Sequence, residues 1–339
     1  MAQHNSDGPK CGMDFSKLFP DVKLDDPNVF SDKLNGEIIG RTGSSAVNDN
    51  TADTVYRKGI ALAEKIFLHS EAMDLHSTEI VKSWVKEAQK IVVQKEQALV
   101  ECVFDVSYRN TTDHIVLNVV NVAVLSMELG AAMGYAQNSL VKLGCAAFMH
   151  DIGIRDYKDI VEESRELEFA EKNQVHQHPY EGSAILRSLK DSFVNAIADI
   201  IEQEHERHDG SGYPKGLQGD NISEYAQIIG FIDVYEALTH PRPYRKSYSP
   251  LSAIKVIIEK GAAFNPVLIK TFLDTIGLYP RGVYVELNTK EVAMVLKQNY
   301  RMPSCPVVQV VYNSKGERTE HRRTIDLSKG TRIFIVRSI

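Results

Sequence analysis

Residues 202 to 214 read Glu202-Gln203-Glu204-His205-Glu206-Arg207-His208-Asp209-Gly210-Ser211-Gly212-Tyr213-Pro214. Carboxylates and imidazoles thus gather at the end of an apolar run, Val194 to Ile201, before a glycine-rich loop. Charged side chains are seldom buried unless paired or metal-bound, so packing alone gives no reason for such an ending. Upstream lie the adjacent pair His150-Asp151 and the step His178-Pro179; downstream lie Asp233 and the segment Arg242-Pro243-Tyr244-Arg245. Imidazole nitrogen and carboxylate oxygen together make the mixed donor set of a divalent metal centre. Two such ions can share a water and lower its pKa toward neutrality. The hydroxide then attacks phosphorus in line, while metal and arginine offset charge on the phosphoryl oxygens. His150, Asp151, His178, His205 and Asp233 are the candidate ligands, with the chemistry centred on Asp151 and His150. A carboxylate directly after a histidine suits a bridge between two ions. Arg242 and Arg245, with Lys246 beside them, are the candidate phosphate contacts, because arginine makes paired hydrogen bonds to phosphate. Iron, manganese and magnesium all fit the donor set.

The elements that must position these groups are mostly helical. Ile60, Ala63, Ile66 and Phe67 share one face, and Ile80, Trp84, Ala88 and Ile91 share another. A helix over about 113–129 is apolar nearly all round, the signature of a buried central helix. It makes His114, Asn118 and Asn121 conspicuous polar positions. Leu140 to Met149 is a second apolar helix that delivers His150-Asp151 at its end. The segment 156–173 is charged and reads as exposed. Further helices are expected over about 179–189, 192–206, 223–238, 251–259 and 265–273. After Pro280 the pattern becomes short, β-branched and turn-bounded, with strands near 283–287, 292–296, 307–312 and 332–336. Asn313-Ser314-Lys315-Gly316 reads as a hairpin turn. The division expected is an N-terminal arm or linker over 1–50, a helical region over 51–105, a metal-binding helical domain over 106–280 and a small β module over 281–339.

The net charge of -6 argues against a protein that coats nucleic acid or clings to anionic membranes. The four cysteines are widely spaced and read as reduced thiols. No secretory signal or apolar run of membrane-spanning length is evident, so a cytoplasmic protein is expected.

The ordered series His150-Asp151-Ile152-Gly153, His178-Pro179, His205-Glu206-Arg207, Asp209-Gly210-Ser211-Gly212-Tyr213-Pro214, and Asp233 with Arg242-Pro243-Tyr244-Arg245 resembles the HD-GYP family over about residues 100 to 280. The β tail also resembles one appended to that family. The resemblance implies a mainly α fold: an HD-type helical bundle with a small C-terminal β module and a poorly structured N-terminal arm. It implies a bacterial metal-dependent phosphodiesterase that opens cyclic di-GMP to pGpG or GMP, with two or three divalent ions, iron or manganese foremost and magnesium admissible. Gly212, Tyr213 and Pro214 would shape the substrate entrance, with Tyr213 able to stack on a base. In the family this loop is also a proposed docking surface for diguanylate cyclase-type proteins.

Three positions depart from the family pattern. Asn118 stands where a histidine is usual, and His114, one helical turn earlier on the same face, matches a position where some members place a further metal-binding carboxylate, which makes His114 a further candidate metal ligand in compensation. Ile154 replaces a lysine. Glu204 replaces the first of two histidines, either as a hard-metal ligand or as a solvated helix-end residue. These departures admit two alternatives: a weak or inactive relative that senses a cyclic dinucleotide or binds protein, and an HD-type hydrolase of another phosphate ester.

Overall fold

The computed structural model describes residues 50–69, 73–94, 97–109, 111–242, 247–299, 301–320 and 322–339. The expected N-terminal arm, and Arg245 with Lys246, therefore lie outside the described residues. The helices are α1 Asn50–Ala63, α2 Leu75–Val93, α3 Ala98–Phe104, α4 Val106–Arg109, α5 His114–Ala132, α6 Gln137–Met149, α7 Lys158–Val161, α8 Phe169–Val175, α9 His178–Ser188, α10 Ser192–Ile201, α11 Glu224–Thr239, α12 Pro250–Glu259 and α13 Pro266–Thr275. A short π-helical turn, Glu64–Leu68, extends α1.

α5 is the axis of the bundle, buried from Ile115 to Gly130 and packed against α1, α2, α6, α11 and α13. Its start is fixed by Asp113, whose carboxylate accepts from Ile115 N at 2.8 Å. The same device starts α10, where Asp191 accepts from Val194 N at 2.9 Å. α12 and α13 begin with proline after Ser249 and Asn265 caps, a placement that costs no intrahelical hydrogen bond. Aromatic side chains tie the layers together: Trp84 meets Phe148 at 5.1 Å between centroids, and Phe272 meets both Phe231 and Tyr235. By length and composition α5 could cross a membrane, but 89% of its apolar window is buried inside the protein.

The C-terminal strands are β1 Tyr284–Leu287, β2 Val292–Lys297, β3 Val307–Tyr312, β4 Thr324–Asp326 and β5 Ile335–Ser338. They form one antiparallel sheet in the order β4-β3-β2-β1-β5. Its inner face, with Val285, Leu287, Val295, Val308 and Val310, joins the core built by the helices. Two details differ from the sequence expectation. β4 is only three residues long, too short to show an alternating pattern. The last strand begins at Ile335, three residues late, because Phe334 is exposed and the 332–334 stretch runs outside the ladder. α10 also stops earlier than expected, at Ile201, so Glu204 and His205 sit in tight turns beyond it.

Candidate metal centre

Four segments converge on one point beside α5. α6 delivers His150, fully buried, and the 3₁₀ turn Ile152–Tyr157 then turns the chain so that Asp151 stands at the corner. That corner presses on the first turn of α9. A Cβ on Gly153 would lie 2.1 Å from the His178 carbonyl oxygen, so only glycine permits the approach that sets Asp151 beside His178. The turn after α10 contributes Glu204 and His205. α11 contributes Asp233, with Glu236 on the same face one turn later.

The resulting distances are short. Asp151 Oδ1 lies 3.2 Å from His178 Nε2 while its Oδ2 lies 3.4 Å from His150 Nε2. One carboxylate thus faces two imidazoles with separate oxygens. Glu204 Oε1 lies 2.8 Å from His205 Nε2 and 3.4 Å from His178 Nε2. Asp233 Oδ1 lies 3.7 Å from His150 Nε2. Among the described residues, two groupings have ligand atoms close enough to hold an ion: Asp151, His178, Glu204 and His205, and His150, Glu204 and Asp233. Glu204, fully buried, belongs to both; it is not a solvated helix-end residue.

The donor atoms are poised for cations. His150 Nδ1 lies 2.8 Å from the Ala147 carbonyl and His178 Nδ1 lies 2.7 Å from the Val175 carbonyl. A carbonyl can only accept, so each Nδ1 carries a hydrogen and each Nε2 is turned to the carboxylates. His150 Nε2 and Glu204 Oε2 are buried without a hydrogen-bond partner. The Nε2 atoms of His178 and His205 stand 3.1 Å apart. Two ligands at right angles on an ion with bonds of about 2.1 Å would be about 3.0 Å apart. The residues present therefore fit a pair of divalent ions. The electrostatics agree. Burial opposes charge on His150 and His178, yet the carboxylates around them, Asp151 foremost, push both imidazoles up to about 10. Burial likewise opposes charge on Asp233, but its contact with His150 holds it down at about 2. The cluster demands compensating positive charge, from protons or from metal.

Asn118 is not placed as a ligand. Its single amide nitrogen donates to Asp233 Oδ1 at 3.0 Å and to Glu236 Oε2 at 2.8 Å. Turning the amide over would set its oxygen against two carboxylates, so the orientation is fixed. His114 lines the cavity above the centre, outside both groupings, and its pKa is lowered by burial and by Arg242. Arg242 also lines the cavity, but it is ion-paired with Glu236 at 2.8 Å, so its charge is largely neutralised there.

The cavity holds about 470 Å³ and reaches Asp151, His178, His205 and Asp233. Tyr213 lines it too, stacked on His176 (4.0 Å, 19°) and on His205 (4.7 Å, 23°). Its ring is engaged by the protein's own imidazoles and braces the His205 ring, rather than lying open for a base. Gly212 makes this possible: a Cβ there would lie 2.4 Å from the His205 carbonyl oxygen. The Tyr213–Pro214 peptide is cis. Glu206 ties down the far side of the loop by accepting from Lys215 N at 2.7 Å and Leu217 N at 2.9 Å.

Sequence reasoning missed several lining or supporting residues. Arg165 and Lys172, from the segment read as merely exposed, line the cavity together with Ile154. Arg165 is engaged by Glu171 through two short contacts, whereas Lys172 carries no ion pair among the described residues. Glu236 and His240 were also missed, although their spacing from Asp233 puts all three on one helical face.

Comparison with known proteins supports this picture. The HD domain family matches residues 106–267, and a family described as a KOW domain associated with HD domain matches residues 284–339. Cyclic di-GMP phosphodiesterase PA4108 of Pseudomonas aeruginosa is 29% identical over 247 residues, covering 72% of this chain and 58% of that protein. Cyclic di-GMP phosphodiesterase PdeB of Borreliella burgdorferi is 28% identical over 208 residues, covering 60% of this chain and 54% of that protein. 3'3'-cGAMP-specific phosphodiesterase 2 of Vibrio cholerae is 28% identical over 186 residues, covering 50% of this chain and 36% of that protein. The chain spans about half the length of the first two curated relatives. Among solved structures, Bd1817, an HDGYP protein from Bdellovibrio bacteriovorus, superposes with a TM-score of 0.54 at 21% identity, covering 70% of this chain and 76% of that one. The chain thus carries an HD domain, and its ordered His-Asp and Gly-Tyr-Pro motifs on that helical fold resemble the HD-GYP family.

Proposed function

We propose that the protein is a metal-dependent phosphodiesterase that hydrolyses cyclic di-GMP to pGpG or GMP. The observation that carries this reading is the pair of groupings sharing Glu204 at the base of a cavity of nucleotide-compatible size. His178, His205, Asp151 and Glu204 would hold one ion; His150, Asp233 and Glu204 the other. Bound there, iron or manganese supplies Lewis acidity and a water acidic enough to ionise near neutral pH. The chain's own residues do the rest. Backbone carbonyls of Ala147 and Val175 keep two imidazoles in the tautomer that presents Nε2 inward. Tyr213 braces the third imidazole by stacking. Val161, Leu167 and Ile154 give the cavity apolar walls that exclude bulk water and strengthen the interactions inside.

Lys172 is the phosphate contact we favour in place of the lysine that Ile154 displaces. It forms no ion pair among the described residues, whereas Arg242 is already paired. Lys172→Ala is expected to raise KM for the dinucleotide about tenfold with a smaller change in kcat, matching one charge-assisted hydrogen bond of about 1.5 kcal/mol. An unchanged KM in steady-state assays would return the role to Arg242.

The relatives named for 3'3'-cGAMP support a second reading of the substrate only, because the metal centre would serve either dinucleotide. The test is hydrolysis of cyclic di-GMP and of 3'3'-cGAMP by the full chain, reconstituted anaerobically with iron or manganese. Products should be resolved by chromatography, with Asp151→Ala alongside. Metal-dependent formation of pGpG or GMP, lost in Asp151→Ala, is the expected outcome. Exclusive cleavage of 3'3'-cGAMP would change the substrate. Dinucleotide binding without turnover by the metal-loaded protein would overturn the enzyme and leave a sensor.

A further inference from the structure

A chain of buried polar side chains runs from the N-terminal helix α1 to the metal centre. α1 turns Tyr56, fully buried, toward α5, where its hydroxyl donates to Asn121 Oδ1. The Asn121 amide nitrogen donates onward to Glu236 Oε1 at 3.0 Å. Glu236 Oε2 accepts from Asn118 Nδ2 at 2.8 Å, and that nitrogen's second hydrogen goes to Asp233 Oδ1 at 3.0 Å. Four side chains on three helices thus connect residue 56 to the carboxylate that faces His150. None of the four is more than 2% exposed, so water does not substitute for a missing link.

Glu236 is the hub. It also takes Arg242 Nη2 at 2.8 Å and lies 3.3 Å from His240 Nδ1, whose other ring nitrogen lies 3.0 Å from the Val103 carbonyl. A carboxylate held by four side chains cannot rotate freely, and it fixes the Asn118 amide in turn. That amide pins one oxygen of Asp233, restricting the rotation that would otherwise be lost on binding an ion. Outer partners of this kind typically set metal affinity within a factor of ~10–100.

We infer that Glu236 and Asn118 are positioning residues for Asp233, and that Tyr56 extends this control to α1, so that metal affinity at the Asp233 subsite depends on a hydroxyl in the N-terminal helix. The inference rests on Asp233 being a metal ligand.

Glu236→Gln would leave Arg242 unpaired in a buried place and invites misfolding, so the decisive variant is Tyr56→Phe, which loses one hydroxyl and keeps the ring. The experiment is manganese titration calorimetry on the metal-stripped full chain, comparing the parent with Tyr56→Phe, Asn118→Ala and Asp233→Ala. Thermal melts confirm that each variant is folded. Asp233→Ala is expected to bind one ion fewer. Asn118→Ala should bind both ions with one weakened ~10–100-fold. Tyr56→Phe should weaken that same ion ~3–10-fold, the scale of a single buried hydrogen bond, and leave the other ion at its parent constant. If Tyr56→Phe lowers the melting temperature but both ions bind as in the parent, the hydroxyl is structural only and the inference falls. Equal weakening of both ions would also overturn it, because that is general loosening. If Asp233→Ala still binds two ions, the metal-site reading itself fails, an outcome distinct from failure of the Tyr56 link.

Discussion

Glu204→Gln is expected to empty the metal centre. Glu204 is the one residue common to both ligand groupings, and it is fully buried with Oε2 free of hydrogen bonds. Glutamine keeps the size and one carbonyl oxygen but removes the charge both ions would share. Deleting one partner from a buried charged set costs ~3–5 kcal/mol, or ~10²–10⁴-fold in affinity. Metal content of the purified, dialysed variant should therefore drop well below two ions per chain, and phosphodiesterase activity should drop with it. The departure from the family's histidine would then be a working substitution, with a shared oxygen donor in place of a nitrogen. Full metal content in the variant would mean that Glu204 only fills space and that Asp151 alone joins the two ions.

The second large effect concerns stability and lies away from the site. Glu128 sits inside α5, 5% exposed, with Oε1 lacking any hydrogen-bond partner. Burial alone pushes its carboxyl up to about 8. The folded chain therefore holds a proton that the unfolded chain releases above the usual carboxylate range. Stability is fully present below about 4.5 and declines as pH rises toward 8, the direction required when the native state binds more protons. At pH 7 this amounts to about 3 kcal/mol. Glu128→Gln has no charge to lose, so it should be more stable by about that amount at pH 7 and nearly equal at pH 4.5. Thermal melts across that range test this directly, because all other groups titrate alike in the two proteins. Parallel pH profiles would show that the Glu128 carboxylate finds a partner or reaches water.

Much of this was legible in the residues. Periodicity gave the buried central helix, the polar stripe His114, Asn118, Asn121 along it, and the change to strands after Pro280. The convergence of His150, Asp151, His178, His205 and Asp233 followed from donor chemistry and family motif order. What escaped had physical reasons. Whether Glu204 was solvated or shared depended on where α10 ended, and a one-turn difference at a helix terminus is invisible to periodicity. Glu236 and His240 looked like ordinary helix-end polar residues, since nothing in a linear pattern says that another helix presents amides to them. Lys172 belongs to a segment whose composition reads as surface; only the fold of the 3₁₀ turn and α8 brings it over the cavity. For Tyr213 the sequence left open stacking on a base or shaping the entrance, and its two imidazole neighbours come from segments about 37 and 8 residues away along the chain.

The inner face of the small sheet has a consequence for how the molecule comes apart. Val285, Val295, Val308 and Val310 belong to the same continuous core as Leu99, Val116 and Phe272, and Arg281 is paired with Glu101 at 2.9 Å across the junction. Two family assignments meet there, yet no seam runs between them. Heat or denaturant should therefore find one cooperative transition where the two family matches suggest two modules. A relative that lost the tail would have to rebuild the exposed wall of the helical body with polar residues before it could fold alone.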